Sequence, residues 1–443
     1  MRLRLASLAV GVLGVGAVAL ATRTALASRH WTSGLDIRTH STLRQWASGL
    51  DVGNTTRSMI CASCTAPTWS SSSAPTPIPP KRSEAEIRDL DIQFYEARAR
   101  RDPTGAMDLA RVAQLYLVRS RESGNYDDVL AAEHAARRSL RNRISRNAMA
   151  AQVLASSLLS EHRFAEALGV SRSLESLDPD RLSYRAMSGE IAVELGRYDE
   201  ARATFDSLRR DAGNLSVAPR LARWEEIEGH PERAQALLRH SIAAAQLRPD
   251  LPAEQRAWFW MRLGDLDLRM GQADSAGQAY ATGLALHPGD YRILAAMAHL
   301  AAVRHEWQSA IDYGNRAVAV SLDPATFGTI SDSYLALGDT AQAREFAHGM
   351  EVAVSHQPGA YHRAWSLFML DHSLRVPEVL RKARIELQTR RDIYGYDVLA
   401  WALYHSGRYT EAQRAMAIAL SQGTRDPQLF FHASMIAKAL HHE

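Results

Sequence analysis

Gly196-Arg197-Tyr198-Asp199-Glu200-Ala201 and Gly407-Arg408-Tyr409-Thr410-Glu411-Ala412 are two copies of one phrase. It returns in degenerate form about every 34 residues, a period that belongs to stacked repeats. Its first residue is His162, Gly196, Gly229, Gly271, His305, Gly338 or Gly407. Five positions on stands an alanine each time: Ala167, Ala201, Ala234, Ala276, Ala310, Ala343 and Ala412. Twelve positions before those alanines stand Ala155, Gly189, Ala222, Gly264, Ala298, Ser331 and Ala400. A period of this length holding two helical segments predicts helix-turn-helix hairpins stacked into a solenoid. The phrase opens on a bend at the end of the first helix, where glycine takes a left-handed conformation without a Cβ penalty. His162 and His305 in that position should cost about 1 kcal/mol each. The two sets of small residues let the helices of a hairpin approach closely. Phe164, Tyr198, Trp307 and Tyr409, two positions after the bend, cover the contact.

This pattern resembles the tetratricopeptide repeat family over residues 84–443. The clearest copy is 257–290, where Trp260, Leu263, Gly264, Gly271, Ala276, Tyr280 and Pro288 match. Copies begin near 148, 182, 215, 257, 291, 324, 393 and 427. Two more are degenerate: in one, Gly124 and Ala132 are too far apart; in the other, Leu380 takes the alanine position and Phe368 the small one. Ile87 to Arg101 reads as the second helix of a missing hairpin, and Gln428 to Leu440 as a lone capping first helix. The resemblance implies an all-α, right-handed superhelical solenoid. The segment from Arg390 to Asp397 also resembles a stretch of uncharacterised bacterial secreted proteins of this class, with no activity attached.

The chain of 443 residues carries 52 basic and 49 acidic residues, unevenly placed. Residues 1–83 hold nine bases against Asp36 and Asp51, leaving 43 bases and 47 acids for the repeats. A mildly acidic repeat body lacks the footprint of a nucleic-acid binder. Arg2 and Arg4 precede an apolar run from Leu5 to Ala21, and Ala25-Leu26-Ala27 has the small-x-small spacing of a peptidase site. Residues 1–27 are therefore expected to be a signal peptide cut before Ser28, or else an N-terminal membrane anchor. The rest of residues 28–83 contains Pro67, Pro75, Pro77, Pro79, Pro80 and the run Ser70 to Ser73, the composition of a disordered linker. The expected location is the periplasm or the extracellular space.

Candidate chemistry is sparse. Cys61 and Cys64 are the only cysteines, and Thr65 stands where covalent haem attachment needs histidine. Seventeen histidines show no helical pairing suited to a metal. No catalytic, metal or cofactor set is expected. In the family it resembles, the concave face is lined by the first helices. Carried onto this chain, that implies a peptide groove of Glu190, Arg223, Asp265, His299, Asp332, Trp365, Asp397, Trp401 and Phe431. It would be acidic along its length and aromatic at its C-terminal end. The function expected is non-enzymatic binding of a protein or peptide in the cell envelope. A multi-partner scaffold working through its convex face or edges, and an accessory subunit of an envelope enzyme, are the alternatives. A membrane is expected as a partner only through an uncleaved N-terminal segment.

Overall fold

The computed structural model describes residues 82–357 and 363–441. The expected signal, cleavage site and cysteine pair, and the expected linker up to residue 81, lie outside them. Among the described residues there is helix and no strand. The first described helix is α1 (Glu84–Arg101). Nine hairpins follow: α2 (Ala106–Ser123) with α3 (Tyr126–Asn142), α4 (Ala148–Ser160) with α5 (Phe164–Leu177), and α6 (Leu182–Glu194) with α7 (Tyr198–Leu208). The next are α8 (Ala218–Ile227) with α9 (Pro231–Gln246), α10 (Ala253–Arg269) with α11 (Ala273–Leu286), and α12 (Tyr291–Val303) with α13 (Trp307–Val318). The last are α14 (Pro324–Ala336) with α15 (Thr340–Ser355), α16 (Arg363–Asp371) with α17 (Val376–Glu386), and α18 (Ile393–His405) with α19 (Tyr409–Ala419). The last described helix, α20 (Pro427–Leu440), stands in the place of a first helix. None of these helices is long and apolar enough to cross a membrane.

The repeated phrase does what its spacing predicts. Gly196, Gly229, Gly271, Gly338 and Gly407 all have positive φ, and so do His162 and His305, at 61° each. The seven repeated alanines are buried. Ser331 donates its hydroxyl to the carbonyl of Ala343 at 2.8 Å, a direct bond between the two small positions of one hairpin. A Cβ on Gly264 would fall 2.5 Å from the ring of Tyr280, so a side chain there would meet the partner helix.

Both degenerate units need correction. Helix α3 starts two residues after Gly124, as other second helices do, so its alanine position is Val129 and not Ala132. In the hairpin α16–α17, Val379 is the buried residue on the first turn of the second helix, and Leu380 is only half-buried. That hairpin bends through Ser373 and Arg375, both with positive φ. A β-branched residue thus replaces alanine in each.

The stack curves back onto itself, which the repeat period alone does not specify. Bonds join residues 193–197 positions apart. The connection inside a hairpin is here a bend, and that between hairpins a link. Bends of the first winding press on links of the second. The Arg391 amide donates to the Leu195 carbonyl at 3.2 Å, and Arg390 donates to the Glu194 carbonyl at 3.0 Å and its carboxylate at 2.7 Å. The Ile393 amide donates to the Tyr198 hydroxyl at 2.7 Å, and the Thr424 hydroxyl to the Ile227 carbonyl. The segment from Arg390 to Asp397 is therefore seam. One hydrophobic cluster runs through it, joining Phe205 and Trp224 to Tyr394, Val398 and Trp401.

Candidate functional site

The nine residues expected to line the groove fall on seven consecutive first helices from α6 to α18, and on α20. The structure buries all but Arg223 and Phe431, which are half-buried. They are held by one another and by neighbours the sequence reading did not select.

Glu190 accepts a bond from Arg220 Nε at 2.8 Å, and Arg220 Nη1 donates to the Ser216 carbonyl at 2.8 Å. Burial pushes the Glu190 carboxyl up to about 7, and the attraction of Arg220 offsets only part of that. Arg223 pairs with Glu226 at 3.1 Å and lies 5.4 Å from the Tyr394 ring centre. Tyr394 also faces Arg363 at 4.3 Å, so two guanidinium groups of different windings share one ring. Asp265 accepts from the Tyr280 hydroxyl at 2.9 Å and from Arg262 at 3.2 Å. Arg269 also pairs with Glu226.

Further along, Asp332 meets His372 Nε2 at 2.7 Å. The face of Trp365 carries Lys382 Nζ at 4.1 Å and Arg375 at 5.2 Å. His299 is buried on α12.

Only at the C-terminal end do the expected residues gather into one place. Asp397 accepts from His432 Nδ1 at 2.7 Å and Arg363 at 2.8 Å. Burial alone would raise this carboxyl; His432 and then Arg363 outweigh it and hold it below its ordinary value. Trp401 stacks on His432 at 4.2 Å and on Tyr404 at 4.7 Å, and its indole N–H donates to Asp371 at 2.8 Å. Phe431 meets Trp401 edge-on at 6.0 Å.

The interior of the superhelix is thus a network of buried ion pairs, not an acidic trough. Sequence reasoning selected the carboxylates and passed over Arg220, Arg262, Arg269 and Arg363. A signal was present: Arg223–Glu226 and Arg262–Asp265 are opposite charges three residues apart, which share one face of a helix. Outside the interior, Glu225, Glu228 and His230 lie close enough together to suggest a metal site. Arg209 pairs with both glutamates, and Arg202 with Glu228. Cations of the chain itself already balance that cluster.

No family model matches this chain, and no curated protein does. Among solved structures, a tetratricopeptide repeat protein from Parabacteroides merdae ATCC 43184 is 13% identical, with 58% of this chain and 98% of that one covered at a TM-score of 0.39. MamA MSR-1 C2 is 21% identical, with 40% and 98% covered at a TM-score of 0.31. At such scores the weight rests on this chain's own geometry: paired helices, small residues at the crossing and a left-handed bend. On that geometry, the described residues form a stack of tetratricopeptide-like helical hairpins.

Proposed function

We propose that the chain is a non-enzymatic interaction module for protein partners, exported to the cell envelope, whose contacts lie on its edges and outer helices. The observation that carries this reading is the state of the interior. Asp265, Asp332, Asp397 and Trp401 are buried and bonded within the chain. A peptide entering there would have to displace those bonds and leave buried charges unpaired, at a cost of about 3–5 kcal/mol per pair broken. Surfaces that need no such rearrangement remain on the links, bends and second helices.

A photo-crosslinking residue placed in turn at Leu177 on an edge, at Ile385 on an outer helix and at Trp401 in the interior separates the readings. Adducts with other polypeptides from the first two positions in an envelope fraction, and none from the third, are expected. Adducts from Trp401 alone would restore the groove. Export is tested apart: N-terminal sequencing should find Ser28 first, and an intact Met1 in the membrane fraction would show an anchor.

A further inference from the structure

The seam between windings shows which surfaces of this chain fit each other, and the same two kinds of surface are left open at its ends. In the seam, bends of the first winding seat on links of the second. Among the described residues, the links of the first winding and the bends of the second have no such partner. The three most exposed large apolar side chains among the described residues all stand on such free links or at their edges: Ile144 at 84%, Leu247 at 82% and Leu177 at 70%. Leu247 closes helix α9 as Leu387 closes α17 and Leu420 closes α19. Leu387 and Leu420 belong to seam links and are half-buried.

The bends show the same asymmetry. Leu195 and Leu337 each precede the bend glycine; Leu195, in the seam, is 6% exposed, and Leu337, on a free bend, 51%. A Cβ on Gly196 would meet the Arg391 carbonyl oxygen at 2.2 Å, whereas one on Gly271, Gly338 or Gly407 would meet nothing within 4 Å.

We propose that the chain associates head to tail with further copies of itself, the free bends of one copy seating on the free links of the next. The two ends complete the match. Among the described residues, α1 is a second helix with no first helix paired to it, and α20 a first helix with no second. Both expose apolar residues, Ile87 and Phe94 on α1 and Phe430 on α20. In an antiparallel hairpin the end of α20, with Lys438, lies beside the start of α1, with Glu84 and Glu86, so the charges are opposite. The contact joins two different surfaces, and the same pair is left open after each addition. Such a heterologous interface builds a series of sizes, not a closed dimer.

Sedimentation velocity on the purified full chain tests this with no other partner present, so it succeeds or fails independently of the function proposed above. The wild type should gain mass with concentration. Leu247→Asp disables the link edge and Leu337→Asp the bend edge; each alone should be monomeric, with wild-type helicity and melting to exclude misfolding. Mixed in equal amounts, the two variants should form a dimer and nothing larger, because each keeps the edge the other lacks. A wild type that stays monomeric throughout overturns the proposal. So does a mixture that never pairs, or variants that associate as the wild type does.

Discussion

Gly196 and Gly338 open the same phrase four hairpins apart, and their backbones are nearly alike, with φ of 73° and 84°. Their surroundings are not. The first lies against the Arg391 carbonyl and the second against nothing. Glycine at Gly338 is required only by the conformation of the bend, a local demand that His162 and His305 meet at some cost. At Gly196 and Gly229 it is required twice, by the bend and by a strand of backbone passing a side chain's width away. Identical residues in a repeat can therefore carry unequal loads.

The largest effect expected from this difference is at the seam. Gly196→Ala and Gly229→Ala must push away the carbonyls of Arg391 and Gly423, each 2.2 Å from the new Cβ, as well as adopt a left-handed bend. Backbone strain of about 1–2 kcal/mol plus displacement of a close contact should bring the loss in denaturant unfolding to about 3 kcal/mol or more. Next comes Arg390→Ala, which removes the bonds to Glu194 and Asp392 and leaves their carboxylates half-buried or buried. A loss of about 2–3 kcal/mol is expected, less than additive with Gly196→Ala because both act on one seam. Equal losses from Gly196→Ala and Gly338→Ala would abolish the distinction between the two bends.

The repeat period made the hairpins, their boundaries, the left-handed bends and the small crossing positions legible, because each depends on residues within one unit. The two irregular hairpins were misread where alanine was expected and Val129 or Val379 fills the seat. The seam was not legible. Nothing in a 34-residue phrase states how far each hairpin rotates on the one before, and that rotation decides whether residues 195 positions apart meet. The contacts of the expected groove have a nearer source. Asp397 and Trp401 are buried, and the adjacent units of the same winding put Arg363, 34 residues before Asp397, and His432, 35 after it, against that carboxylate, while Tyr394 stands on the same helix.

The interior offers a third test. Glu190 lies near the seam, and its carboxyl is raised to about 7 from an ordinary value of 4.5 because burial penalises its charge. The folded state therefore binds a proton that the unfolded state has already lost between those two values. Stability from this group is greatest below pH 4.5 and falls as pH rises towards 7, by at most about 3 kcal/mol. Glu190→Gln stays neutral throughout. The stability of the wild type relative to this variant should fall across that window and level off above it. A flat difference would show that Arg220 neutralises the group fully.

The smallest effect is expected on the free bends. Gly271→Ala and Gly338→Ala meet no neighbour within 4 Å and carry only the left-handed strain, about 1 kcal/mol. Their melting curves should nearly overlay that of the wild type.

In an ordinary solenoid a unit can be duplicated or lost almost anywhere, because each hairpin recognises only its neighbours. Bonds between Tyr198 and Ile393 and between Glu194 and Arg390 fix the number of hairpins that separate them. A gene rearrangement that copied one unit between those points would set every bend opposite the wrong link. Growth of this array by unequal crossing-over is therefore confined to its ends, and the middle of the chain must change by substitution.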